Sequence, residues 1–116
     1  MNLQLTGKTA LVTGASVGIG RGIAKALAAE GVRVAVSARR VDKLKELADE
    51  IVAAGGQAPV VIESDLYHED AAKRLADAAL AGLGSVDILV NNAGGSRSFK
   101  ELHVSEEAWQ EAITLN

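Results

Sequence analysis

Between Val12 and Gly20 the chain reads Val-Thr-Gly-Ala-Ser-Val-Gly-Ile-Gly, and few folds accommodate that stretch in its setting. An apolar run, Thr9-Ala10-Leu11-Val12, leads into it, and a run of helical character from Ile19 to Glu30 leads out. A strand that feeds a glycine-rich turn and opens a helix is the geometry of a phosphate cradle. Of Gly14, Gly18 and Gly20, one can take a backbone angle closed to other residues, and another lets the main chain approach an anion with no side chain between. The helix that follows aims unpaired N–H groups and its positive dipole end at the same point. The spacing is G-x-x-x-G-x-G, which differs from the commoner G-x-G-x-x-G motif. On this stretch alone, a glycine turn without a ligand stands as the alternative reading.

What surrounds the turn narrows the choice. Apolar residues make up 48% of the 116-residue chain but aromatics only 3%, so the core must be built from Ala, Val, Leu and Ile. That composition suits parallel strands covered by Ala-rich helices. Strands are expected over Lys8–Thr13, Arg33–Ser37, Ala58–Glu63 and Val86–Asn91. Pro59 fits the third of these only near its start or on a sheet edge. Helices are expected over Ile19–Glu30, with Ile19, Ile23, Ala26 and Leu27 facing in, and from Asp42 as the cap to Ala54, with Leu44, Leu47, Ala48, Ile51 and Val52 facing in. A third runs from Glu69 to Ala81 on Ala72, Leu75, Ala76 and Ala79, and a fourth starts at Ser105 and continues to Asn116. Gly31, Gly55-Gly56, Gly82 and Gly84 are the stops. Strict alternation with short connections predicts an α/β, doubly wound parallel sheet of order 3-2-1-4.

Composition also excludes. The net charge is −3, with 12 basic and 15 acidic residues, which argues against nucleic acid or an anionic membrane as partner. There is no cysteine, hence no disulfide and no thiolate metal site. His68 and His103 have no companions at metal-ligand spacing, so no metal is expected. Gly7-Lys8-Thr9 lacks the upstream glycine of a Walker loop and precedes a strand. No apolar run approaches membrane-spanning length, and the N-terminus lacks the apolar core of a signal peptide. A cytoplasmic protein is expected.

In such sheets ligands bind at the carboxyl ends of the strands. There the sequence puts the glycine turn, then Ser37-Ala38-Arg39-Arg40, then Ser64-Asp65-Leu66, then Asn91-Asn92-Ala93-Gly94. Thr13-Gly14-Ala15-Ser16-Val17-Gly18-Ile19-Gly20 together with Asn91-Asn92-Ala93-Gly94 resembles the short-chain dehydrogenase/reductase family, in the general style of its 3-oxoacyl-carrier-protein reductase branch. The resemblance spans essentially the whole chain and implies a Rossmann-type fold, cut off before the later strands. It implies that Gly14, Ser16, Gly18, Ile19 and Gly20 line the pyrophosphate and ribose of a dinucleotide, that Asp65 and Leu66 hold the adenine, and that Asn92, Ala93 and Gly94, with Asn91, support the sheet and the nicotinamide-side ribose. By the same resemblance Asn116 helps hold the catalytic proton relay.

The end of the second strand speaks to the cofactor. A chain selecting NAD offers a carboxylate there for the ribose 2′-hydroxyl. Here Ser37 and Ala38 are followed by Arg39 and Arg40. Arginine attracts a 2′-phosphate bidentately, so NADP(H) is expected in preference to NAD(H). The alternative is that both arginines are merely solvated. Val17 departs from NADP-preferring relatives that carry a basic residue at that place.

The family resemblance further implies a Tyr-x-x-x-Lys pair for the acid–base step and a homo-oligomer, dimer or tetramer. The only tyrosine is Tyr67, with Ala71 four residues on, so that pair does not occur. Residues 1–116 are therefore expected to be an incomplete NAD(P)-binding domain that lacks the catalytic half, inactive alone and prone to self-association through the open edge of its fourth strand. Three functions stay open: the nucleotide-binding half of an oxidoreductase acting on a small carbonyl or alcohol, a non-catalytic dinucleotide-binding module or inactive fragment, and a purely structural association domain. Ser96-Arg97-Ser98-Phe99 could touch substrate or be only a connection, and Trp109 is read as a packing residue.

Overall fold

A computed structural model of the chain describes residues 5–16, 18–65 and 70–92. In order, these form β1 (Thr9–Thr13), α1 (Gly18–Ala29), β2 (Arg33–Ala38), α2 (Val41–Ala53), β3 (Val60–Glu63), α3 (Ala71–Leu83) and β4 (Ile88–Asn91). The strands make one parallel sheet of order β3-β2-β1-β4, as the alternation and the glycine turn predict. The helix expected from Ser105 lies outside the described residues.

Side chains alternate across the sheet with period two. Ala10, Val12, Val34 and Val36 point to α1 and α2, where Ala24, Ala28, Leu44, Leu47 and Ile51 meet them. Leu11 and Ala35 point the other way, to Leu75, Ala76 and Ala79 of α3. Leu11, Leu44, Leu47 and Leu75 are fully buried, each contributing about 1.5–3 kcal/mol. β1 is buried at every position because it sits mid-sheet with helices on both faces. Pro59 immediately precedes β3, an edge strand, where its missing N–H costs no ladder bond.

Four expectations need correction. The inner stripe of α1 is Gly20, Ala24 and Ala28, with Ile23 and Leu27 partly buried; Ile19 is 74% exposed and Ala26 is exposed. The helix lies so close to the sheet that only the smallest residues fit beneath it. On α2 the buried residues are Leu44, Leu47 and Ile51, whereas Val52 is half-exposed. Asp42 is not the cap: α2 begins at Val41, Arg40 occupies the cap position, and Asp42 falls in the first turn, where a carboxylate suits the dipole. Likewise α3 runs through Gly82 and stops at Gly84, which adopts φ 86°. Gly82 is required by packing, since a Cβ there would come within 2.9 Å of Val60 Cγ1.

The helices are tied at their ends. Arg33 on β2 donates to the carbonyls of Leu83 (3.3 Å) and Gly82 (3.4 Å), capping α3. Glu50 of α2 pairs with Arg21 and with Lys25 of α1, the latter at 3.1 Å. At the amino ends of β1 and β4, Asp87 accepts from Thr9 N (2.9 Å) and Thr9 Oγ1 (3.2 Å). The Thr9 amide hydrogen bond, with the Thr9 hydroxyl and Lys8, holds the Asp87 carboxyl below its ordinary value despite an opposing desolvation effect. A carboxyl lowered in the folded state contributes stability above its unfolded value of about 3.9, lost as pH falls through the folded value. Urea midpoints measured between about pH 5 and pH 2 should therefore fall with pH, and fall less steeply in Asp87→Ala than in the parent. Equal slopes would remove Asp87 from this role.

Candidate functional site

The chain lays β2 and β3 on one side of β1, then returns to add β4 on the other. That reversal leaves a crevice at the carboxyl ends of β1 and β4. Register fixes what lines it: Thr13 is level with Ser37 and with Asn91, and Ala38 is level with Glu63. The four segments singled out in the sequence thus leave the sheet along one edge.

At the centre, Gly14 and Gly18 take φ 62° and 64°, left-handed values that reverse the chain between β1 and α1. Gly18 opens α1, and a Cβ built on it would meet nothing within 4 Å. The free space stands directly over the amino end of a 12-residue helix, where unpaired N–H groups gather. Gly20 serves a different purpose. A Cβ there would collide with the Gly14 carbonyl oxygen and lie 2.6 Å from Asn92 Nδ2. The turn folds back onto the first turn of α1 only because Gly20 has no side chain.

Hydrogen bonds lock the turn to its neighbours. Ala15 N donates to the Ser37 carbonyl at 3.1 Å, tying the turn to β2. Thr13, fully buried, donates its hydroxyl hydrogen to Asn91 Oδ1 at 3.1 Å, with the Val90 carbonyl at 3.4 Å, and accepts from Asn92 N at 2.9 Å. Asn92 Nδ2 in turn donates to the Gly14 carbonyl at 3.4 Å. The carbonyl and amide groups of the turn are therefore oriented before any ligand arrives.

The candidate residues differ in access. Ser16 and Gly14 are half-buried and Ile19 is exposed beside them. Ser37 is 2% exposed, so its contribution at the surface of the site is the carbonyl that holds Ala15. Arg39 and Arg40 are exposed at the end of β2. Arg40 forks onto Asp42, which holds the Asp42 carboxyl low and raises the guanidinium. Asp65 is half-buried and, with Ala71, Arg74 and Leu75 of α3, lines an open cleft of about 420 Å³ at the end of β3. Ser64 N bonds the Ala38 carbonyl at 3.0 Å, keeping the β3 exit beside the β2 exit. Leu66, Ala93, Gly94 and Asn116 lie outside the described residues, as does Val17. Among the described residues there is no cluster of metal-ligating side chains and no helix long and apolar enough to cross a membrane.

Sequence reading gave Thr13 no role of its own, although a polar residue closing an otherwise apolar strand, level with Asn91, is a signal. The groups present fit a dinucleotide: a left-handed turn under a helix amino end for the diphosphate, basic groups at the β2 exit, and a carboxylate at the β3 exit.

The short chain dehydrogenase family model matches residues 8–116. The chain is 48% identical over 94 residues to the 7alpha-hydroxysteroid dehydrogenase of Escherichia coli, covering 81% of this chain and 36% of that protein. It is 41% identical over 110 residues to a 3-oxoacyl-acyl-carrier-protein reductase of Staphylococcus epidermidis, covering 94% of this chain and 45% of that protein. A crystal structure of a metagenomic short-chain oxidoreductase in complex with NADP superposes with a TM-score of 0.80 at 38% identity, covering 95% of this chain and 56% of that one. The chain spans well under two thirds of these proteins' lengths. With its glycine turn, its strand order and a family match over nearly all its residues, the chain belongs to the short-chain dehydrogenase family.

Proposed function

We propose that residues 1–116 form the dinucleotide-binding part of an oxidoreductase that passes a hydride between NADP(H) and a small carbonyl or alcohol substrate. The observation that carries this reading is the convergence of four strand exits on one edge, with the Gly18 turn open above the amino end of α1. The N–H groups of Gly18, Ile19 and Gly20, with Ser16 and Gly14, would hold the diphosphate. Asp65 and Leu66 would hold the adenine, its carboxylate accepting from the exocyclic amine. Asn92, Ala93 and Gly94 would line the nicotinamide-side ribose. When bound, the nicotinamide supplies the hydride chemistry. Asn116 would help hold a proton relay whose acid–base groups are supplied from outside these residues, since Tyr-x-x-x-Lys does not occur among them. The intact protein would be a cytoplasmic homo-oligomer.

NADP(H) is favoured over NAD(H) because β2 is followed by Arg39 and Arg40 where a carboxylate would repel a 2′-phosphate. The NADP complex of a structural neighbour supports the same choice. Arg39→Ala tests it. A hydrogen bond to a charged group is worth about 1.5–3 kcal/mol, so affinity for NADPH should fall more than tenfold while that for NADH holds. An unchanged ratio of the two in a fluorescence titration would reject the cofactor assignment. A second reading is a non-catalytic dinucleotide-binding module, which the same glycine turn and strand exits would serve. A parent reading frame that encodes Tyr-x-x-x-Lys after codon 116 would decide for the enzyme.

A further inference from the structure

Arg40 and Asp42 flank the start of α2, immediately after Arg39. Arg40 Nε donates to Asp42 Oδ1 at 3.0 Å and its Nη2 donates to Oδ2 at 2.8 Å, so one whole edge of the guanidinium is engaged. Both side chains are largely exposed, 65% and 60%. Asp42 is ionised at neutral pH, as an ordinary aspartate is, and Arg40 lowers its carboxyl further.

A guanidinium offers five N–H donors, and the carboxylate takes the Nε side. The Nη1 side is left, but the charge beside it is cancelled. Arg39, Arg40 and Asp42 together carry one net positive charge where the two arginines alone would carry two. A phosphate monoester brings about −1.5 to −2 charges at neutral pH. It meets a carboxylate held at the place where the chain offers its cations. An exposed ion pair of this kind is weak, so the fork opens readily, and what Asp42 chiefly subtracts is field.

We infer that Asp42 is a specificity-determining residue that restrains recognition of a 2′-phosphate by offsetting the positive field of Arg40. The inference rests on the NADP(H) reading above and extends it: discrimination against NAD(H) is held below what Arg39 and Arg40 could deliver. Removing one negative charge several ångströms from a dianion in water changes affinity by about three- to tenfold at low ionic strength. The effect shrinks as salt rises.

The test uses the 116-residue chain with two probes that differ only in the group concerned, adenosine 2′,5′-bisphosphate and 5′-AMP. Their dissociation constants are measured by calorimetry at low salt. In Asp42→Asn and Asp42→Ala the preference for the bisphosphate should widen about three- to tenfold over the parent. Adding Arg40→Gln to either variant should cancel the widening, and higher salt should reduce it. Glu46→Gln removes an acid one turn further along α2 and should change the preference less than about twofold. An unchanged or narrowed preference in both Asp42 variants overturns the inference, as does an equal widening from Glu46→Gln. A parent chain that does not distinguish the probes overturns it together with the cofactor reading. A parent preference lost in Arg39→Ala yet unmoved in the Asp42 variants overturns the inference alone.

Discussion

Gly20→Ala is expected to lower affinity for NADPH by at least a hundredfold and to destabilise the fold by about 1–3 kcal/mol, the usual range for overpacking. In an exposed helix the same change would stabilise, since alanine is the better helix former by about 1 kcal/mol. Here the added methyl would strike the Gly14 carbonyl oxygen and approach Asn92 Nδ2 within 2.6 Å. The Gly14 oxygen cannot yield cheaply, being backbone in a left-handed turn, and the Asn92 carboxamide can turn aside only by giving up its bond to that oxygen. Relief must come from lifting the first turn of α1, which moves the N–H groups that face the diphosphate. Urea melts and an NADPH titration check both effects. A variant as stable and as tight-binding as the parent would show that the turn does not depend on this approach. Gly22→Ala is the control, since a Cβ there meets nothing within 4 Å.

Thr13→Val should cost about 2–4 kcal/mol although the two side chains have nearly the same shape. The Thr13 hydroxyl is fully buried and joins Asn91 Oδ1 at 3.1 Å to Asn92 N at 2.9 Å. Removing it leaves a donor and an acceptor without this partner, each worth about 1–3 kcal/mol when water cannot replace it. Asn92 would also lose the bond that orients it toward the Gly14 carbonyl, so NADPH affinity should drop along with stability. The expected record is a lower urea midpoint at constant slope. An unmoved midpoint would mean that water or another group already serves these atoms.

Much of the architecture was legible because it is local. Four apolar runs separated by amphipathic ones, with a glycine turn after the first, leave one strand order, and the register agrees. The stripe of α3 was legible for the same reason, Ala72, Leu75, Ala76 and Ala79 all being buried. The face of α1 was legible only in part, Ile23 and Leu27 packing against the core as expected. Periodicity favours the largest apolar residues, but close approach to the sheet selects Gly20, Ala24 and Ala28 and leaves Ile19 outside. Asp42 reads as a cap by residue type, yet its carboxylate is drawn to Arg40 instead. The clamps escaped notice because they join residues far apart in the chain: Thr9 with Asp87, and Thr13 with Asn91, are each 78 positions apart. At the site, Gly14, Gly20 and Asn92 were named from sequence and are in contact through the turn. The bond network that orients them became apparent only from the register of β1 and β4.

If the carboxyl ends of these four strands hold NADP(H), titration of the nitrogen-15-labelled chain with NADPH, followed by amide chemical shifts, should give saturable shifts at Gly14, Ser16, Gly18, Ile19, Gly20, Arg39, Asp65 and Asn92, with Thr9 and Asp87 at the opposite edge of the sheet unmoved. Shifts confined to that opposite edge, or no shifts at millimolar NADPH, would contradict that placement.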